Sequence, residues 1–307
     1  METDLIALFQ RMLMASIPLL TATLGEILAE KAGVLNLGIE GMMTAGAVVA
    51  FAVAAITGSL GLAVGMGIIV SALMALLHGG VSLYLGANQT VSGLALTMIG
   101  IGIGSLVGKP FIGQALPQKI ESFALPFLSD LPWIGGRFSR VNPFFLLALA
   151  LTFGVWLFLR KTKTGLNWIM TGENPKAAES LGVNVNRLRF IAAGIGGGFS
   201  GLAGAYLALS DIGSWTEGAV GGRGWIVVAL TILSLWRPWR ALGASLLFGG
   251  IFILQYTLQP LGIPVSLLAM MPYAVTVLVL IVDGLRTDHR RLNAPAALGT
   301  YFQRGQR

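Results

Sequence analysis

Apolar residues fill this chain in long, nearly unbroken runs, without the alternating or one-faced patterns of a soluble fold. A bilayer-spanning helix needs about 20 apolar residues, fewer where a broken segment pairs with another half-helix. On that ruler nine apolar segments stand out, near 5–29, 41–57, 62–85, 91–108, 143–159, 190–210, 225–236, 241–258 and 265–282. The 225–236 stretch is short for a crossing, and 33–40 mixes polar and apolar residues. The pattern predicts an all-α polytopic transmembrane bundle of about eight to ten helices. It includes discontinuous segments and forms a single domain over 1–307.

The polar stretches between these segments orient the chain, because Lys and Arg gather on the cytoplasmic side. Arg160, Lys161, Lys163, Lys176, Arg187 and Arg189 lie within 160–189, and Arg237 with Arg240 forms a second cluster. The tail, 284–307, adds Arg286, Arg290, Arg291, Arg304 and Arg307. An even number of segments separates each cluster from the next, so all three fit one side, the cytoplasm. The loop 109–142 then lies outside, as does the N-terminus. Lys109, Lys119, Arg137 and Arg140 in that loop, against Glu121 and Asp130, run partly against the bias. Pro110, Pro117, Pro126, Pro132 and Pro143 with Gly135-Gly136 forbid a long helix there but allow short surface helices. Such a loop suits either an external docking surface or a plain connector.

Composition narrows the chemistry. Only 11% of residues are charged, far below the quarter usual in soluble domains. Cysteine is absent, which removes disulfides, thiolate metal sites and cysteine nucleophiles. The start, Met1-Glu2-Thr3-Asp4, is acidic where a cleavable signal peptide opens basic, so the first apolar stretch is expected to stay. The formal charge of +7 sits in inter-helix segments, where it orients the protein and meets anionic headgroups, not nucleic acid. Gly108-Lys109 is followed by Pro110 and preceded five places earlier by Ile103, so no phosphate-binding loop is present. Gly196-Gly197-Gly198-Phe199-Ser200-Gly201 matches a dinucleotide fingerprint in form only, because no strand precedes it. Read as Gly194/Gly198 and Gly197/Gly201 with Ala205, it is a small-residue packing face. His78 and His289 have no ligand-spaced partners, and no catalytic constellation or metal site is read.

Polar groups at membrane depth are costly and therefore functional candidates. Glu26 and Glu30-Lys31 precede the run Ala32-Gly33-Val34-Leu35-Asn36-Leu37-Gly38-Ile39-Glu40-Gly41. Its glycines, with Asn36 and Glu40, suit either a break between half-helices or a loop with Glu40 near a helix N-terminus. Asn88-Gln89-Thr90 with Ser92 offers amides and hydroxyls for a polar solute, or equally an N-cap at Asn88 or Thr90. Asp211, Trp215-Thr216-Glu217-Gly218 and Gly221-Gly222-Arg223-Gly224 read as a re-entrant loop at the outer mouth, or as an ordinary loop with a Glu217–Arg223 pair. In Gly172-Glu173-Asn174-Pro175-Lys176-Ala177-Ala178-Glu179-Ser180-Leu181-Gly182-Val183, Asn174 caps, Pro175 starts and Gly182 stops a helix of about two turns.

That last segment resembles the coupling segment of bacterial ABC permeases of the branched-chain amino acid and ribose type. The runs at 32–43, 88–91 and 216–224 resemble the nucleoside, or simple sugar, branch of that family. The resemblance implies an importer subunit in the bacterial inner membrane that moves nucleosides or a related small polar solute. It also implies a separate ABC ATPase that uses the ATP, with no cofactor on this chain, a second permease (copy or paralogue) and an extracytoplasmic binding lipoprotein. Riboflavin, simple sugars and branched-chain amino acids are the alternative solutes, and an ATPase-independent transporter or channel is a competing reading. Under the resemblance Glu173, Asn174, Pro175, Ala177, Ala178, Glu179 and Gly182 couple to the ATPase, while Asn36, Glu40, Asn88, Thr90, Trp215 and Glu217 are the candidate path residues. Trp215 departs from the resemblance, which leads one to expect a smaller aromatic there.

Overall fold

A computed structural model describes residues 2–124, 140–285 and 294–303. Pro126, Asp130, Pro132, Gly135, Gly136 and Arg137 of the outer loop lie outside the described residues, as do Arg286, His289, Arg290, Arg291, Arg304 and Arg307 of the tail. Among the described residues seven helices are long and apolar enough to cross a membrane: Ile6–Lys31, Ile39–Thr57, Leu60–Tyr84, Gln89–Phe111, Pro143–Lys161, Val185–Ile212 and Pro238–Leu261. Two shorter apolar helices, Arg223–Leu233 and Val265–Val279, complete the set. The nine apolar segments of the sequence therefore each have a counterpart, and the chain is a multi-pass membrane protein.

In chain order the helices are α1 (Glu2–Lys31), α2 (Ile39–Thr57), α3 (Leu60–Gly79), α4 (Gln89–Gly108), α5 (Pro143–Lys161), α6 (Lys163–Glu173), α7 (Pro175–Ser180), α8 (Val185–Tyr206), α9 (Arg223–Leu233), α10 (Pro238–Leu258), α11 (Val265–Ala269) and α12 (Met271–Leu285). Two-residue strands, β1 (Phe123–Ala124) and β2 (Arg140–Val141), pair antiparallel at the roots of the outer loop. Local chemistry sets many helix starts. Ser59, Asn88, Asn142, Thr162, Asn174 and Asn184 each accept a backbone N–H from the first turn that follows. That interaction satisfies a donor otherwise orphaned at a helix N-terminus.

α1 and α2 form the centre, with 78% of each span buried, whereas α5 buries only 22% and lines the lipid-facing perimeter. α8 joins the centre through glycines on three of its faces. Gly197 and Gly201 lie against Ser71 and Gly67 of α3, Gly204 against Met43 of α2, and Gly196 against Gly25 and Ala29 of α1. Backbones that approach this closely leave no room for a Cβ. Gly204→Ala is therefore expected to destabilise the fold by about 1–3 kcal/mol. Gly65→Ala on α3, where a Cβ would meet nothing within 4 Å, should leave it unchanged. Thermal unfolding of the two purified variants beside the parent measures the difference, and equal midpoints would contradict this packing.

Candidate translocation site and coupling face

The segment after α1 breaks the helix between two spans. α9 has 11 residues and so spans about 16 Å. At its start the amides of Gly222 and Gly224 donate to the two carboxylate oxygens of Glu40, at 2.8 and 2.7 Å. Just past its end the indole of Trp236 donates to Glu30. Lys31, Arg160, Arg237 and Arg240 line one cavity at that lower end, which is the basic end of the bundle. Glu40 and Glu30 therefore lie at opposite ends of α9, about 16 Å apart along its axis. Ala32, Gly33 and Val34 still donate to carbonyls of the last turn of α1, but the backbone of 35–37 lies between the helices and turns to side chains.

These side chains come from α3 and α4. Gln89 Oε1 accepts the Leu35 amide at 2.7 Å, and Thr97 Oγ1 donates to the Leu37 carbonyl at 2.9 Å. His78 Nε2 lies 3.1 Å from the Leu35 carbonyl and Nδ1 lies 3.0 Å from Ser92 Oγ. A carbonyl only accepts, so Nε2 carries the proton and Nδ1 of a neutral ring accepts from the Ser92 hydroxyl. Asn36 is buried and accepts the Gly38 amide at 2.8 Å, closing a turn before α2. Both readings of this stretch thus have a part in the structure. The segment is a break, and Glu40 lies at a helix N-terminus, though that of α9 as well as its own.

Above Glu40 lies a cavity of about 660 Å³, lined among others by Arg11, Asp211, Thr216, Arg223, Phe252, Tyr256 and Tyr273. Its floor is the glycine-rich turn before α9, where Gly218, Gly221 and Gly222 take φ values of +70°, +62° and +79°. Only glycine adopts such conformations freely. Arg223 donates to the carbonyls of Ala219 and Val220 at 3.1 and 3.0 Å, and its guanidinium lies 5.2 Å from the centre of the Phe252 ring. Glu217 is exposed, and no ion pair joins it to Arg223. Trp215 is buried outside this cavity, 6.0 Å from the Phe51 ring and against Gly108. Its backbone joins Gly113 and Gln114, while Leu116 and Ile120 donate to Gly213 and Leu209. The described part of the 109–142 loop is thereby stitched to the outer end of α8. Asn88 Oδ1 accepts the Val91 amide at 3.1 Å as the N-cap of α4, and Thr90 is half-buried in its first turn.

At the basic end, α7 stands between Asn174 and Gly182. Asn174 Oδ1 accepts the Ala177 amide at 3.0 Å, and Gly182, at φ +85°, ends the turn with its amide on the Glu179 carbonyl at 2.8 Å. The expected helix over 173–182 is shorter than its boundaries, because Glu173 closes the preceding helix α6. Ala178 is buried against Val185 and Phe302, Glu179 is half-buried, and Lys176 and the Leu181 side chain are exposed. Residues 294–303 strap this region. Ala296 donates to Glu173 at 3.3 Å, Ala297 to the Gly172 carbonyl at 2.8 Å, and Gly299 to the Gly33 carbonyl at 3.2 Å.

Arg189 ties these pieces together. Fully buried, it donates to the carbonyls of Ala32 at 3.1 Å, Thr171 at 3.4 Å, Ala297 at 3.3 Å and Thr300 at 2.8 Å. In the sequence it counted only toward the cytoplasmic charge bias. Its setting between Leu188 and Phe190, inside an apolar helical run, was the available signal of burial. Gln89 and His78 likewise give no sign of their roles in the sequence, since each binds the backbone of Leu35 in a distant segment.

Comparison with known proteins identifies the family. The family described as the permease component of branched-chain amino acid transport systems matches residues 8–280. The putative glucose ABC transporter permease protein of Haloferax volcanii is 37% identical, over 94% of this chain and 95% of its own. The guanosine ABC transporter permease protein of Bacillus subtilis is 34% identical, over 94% of each chain. The nucleoside ABC transporter permease protein of Lactococcus lactis is 33% identical, over 88% of this chain and 89% of its own. With a family match across most of its length, and relatives similar from end to end, the chain belongs to the branched-chain amino acid transport system permease family of ABC transporters.

Proposed function

We propose that this permease carries nucleosides inward across the cytoplasmic membrane, energised by ATP hydrolysis on separate ATPase subunits and supplied by an external binding protein. The observation that carries the coupling half of this reading is the unbroken set of contacts from α7 to the membrane break. α7 follows α6, α6 packs on the end of α1 through Gly172 and Lys31, and Arg189 joins both to 32–38. A push on Lys176, Glu179 and the α7 face would reach Glu40 and the floor of the outer cavity through rigid, mutually bonded segments. The chain itself holds no ATP in this scheme and needs no cofactor. A second permease, copy or paralogue, completes the path. Reconstituted with its partners, the Glu173→Ala/Pro175→Ala double variant is expected to keep ATP hydrolysis but lose its stimulation by loaded binding protein. Intact stimulation would refute the coupling assignment.

Solute class follows from two features of the cavity. The amides at the start of α9 are a natural seat for a carboxylate, and Glu40 already occupies them. That disfavours amino acids, whose carboxylate would need such a seat. Phe252, Tyr256 and Tyr273 offer rings for stacking a base, with Thr216, Gln255 and Asp211 for hydroxyls. In this reading Glu217, exposed beside the lining residues Thr216 and Gly218, and Glu40, bonded to the turn below, belong to the path, with Asn36, Asn88 and Thr90 at the helix starts beneath. A simple sugar is the second reading, favoured by the Haloferax volcanii relative named for glucose. Mass spectrometry of the ligand bound to the partner binding protein separates the two, and an amino acid there would overturn both.

A further inference from the structure

We infer that the basic end of the bundle holds a binding site for the phosphate diester of an anionic phospholipid, separate from the solute path. A cavity of about 390 Å³ opens where three spans meet, at the ends of α1 and α5 and the start of α10. Lys31, Arg160, Arg237 and Arg240 line it, from three separate parts of the chain, together with Trp156 and Trp239.

Three properties point to a lipid phosphate. First, the arginines have few internal partners. The exposed side chains of Arg160, Arg237 and Arg240 form no ion pair among the described residues. Second, the depth is right. Trp156 sits one turn before Arg160, and Trp239, 48% exposed, directly precedes Arg240. Indole rings favour the boundary between acyl chains and headgroups, so the adjacent guanidinium groups lie at phosphate level. Third, α10 starts with no side-chain cap and no acidic residue in its first turn, which leaves its positive end open beside Arg240. Planar guanidinium groups bind phosphate oxygens in pairs, and basic pockets between membrane helices on the cytoplasmic side suit such headgroups.

The test uses the complete transporter, purified in mild detergent and exposed to phosphatidylglycerol, phosphatidylcholine or inorganic phosphate, with bound lipid read by native mass spectrometry. The parent should retain phosphatidylglycerol and not phosphatidylcholine, and millimolar phosphate should not displace it. The Arg160→Gln/Arg237→Gln/Arg240→Gln variant should retain roughly a hundredfold less, at about fivefold per charge. Quenching of Trp156 and Trp239 by brominated phosphatidylglycerol, but not by brominated phosphatidylcholine, checks the same site without any charge variant. Equal retention in parent and variant would overturn the site, as would equal retention of the two lipids. Displacement by phosphate alone would mean that a free anion is the ligand. Loss of the ATPase with lipid retained would mean that the arginines face the ATPase, and either result refutes the lipid assignment.

Discussion

Replacing Arg189 with methionine is expected to cause one of the two largest losses available in this chain, about 3–5 kcal/mol of stability. The side chain makes four hydrogen bonds to carbonyls, at Ala32, Thr171, Ala297 and Thr300. Bonds from a charged donor contribute about 1.5–3 kcal/mol each, offset by the cost of burying the guanidinium. Methionine fills much of the volume but donates nothing, so the strap 294–303, α6 and the break at Ala32 lose their common anchor. Lysine should restore only part of the loss, because a compact ammonium cannot reach carbonyls on three segments at once. Thermal unfolding of the purified proteins should rank parent, lysine variant and methionine variant in that order. Limited proteolysis should cut the methionine variant first within the strap. A methionine variant as stable as the parent would show that the four bonds contribute nothing net.

Glu40→Ala is expected to lower transport at least tenfold and to cost about 2–5 kcal/mol of stability. The substitution strips two amides, Gly222 and Gly224, of their acceptor in a place with little water to replace it. An unsatisfied buried donor costs about 1–3 kcal/mol, and the positive end of α9 loses a facing charge besides. α9 and the floor of the outer cavity should then be free to shift. Glu40→Gln keeps one carbonyl oxygen but turns an NH2 group toward the second amide, so it should fall between parent and alanine. Uptake per permease molecule and thermal unfolding, measured on the same preparations, check both effects. If uptake were unchanged in the alanine variant, Glu40 would have no part in the floor of the path.

Much of the fold was legible in the chain because lipid imposes a simple demand. A crossing segment needs a long apolar run, and the nine runs mark the nine apolar helices closely. Short-range capping was legible as well: Asn88, Asn174, Pro175 and Gly182 act through amides a few residues away, so their spacing carries the message. The glycines at 194–201 likewise encode close packing through their own period. What could not be read has a common physical basis. Glu40 is bonded to amides more than 180 residues later, and Arg189 to carbonyls up to 157 residues earlier and 111 later. Backbone groups are the same at every residue, so a side chain that binds them leaves no complementary partner in the sequence. The outer cavity was missed in part for a related reason. It is assembled from α1, the end of α8, the turn before α9 and α10–α12, none of which is polar enough alone to announce a site.

The central claim is that nucleoside transport through this chain is driven by a partner ATPase acting on α7. Its most direct test is uptake of radiolabelled guanosine into proteoliposomes holding the permease pair, with and without the ATPase, given external binding protein and enclosed ATP. The account predicts accumulation above the external concentration only with the ATPase present, abolished by Glu173→Ala/Pro175→Ala. Equal uptake without the ATPase, or with the double variant, would contradict it.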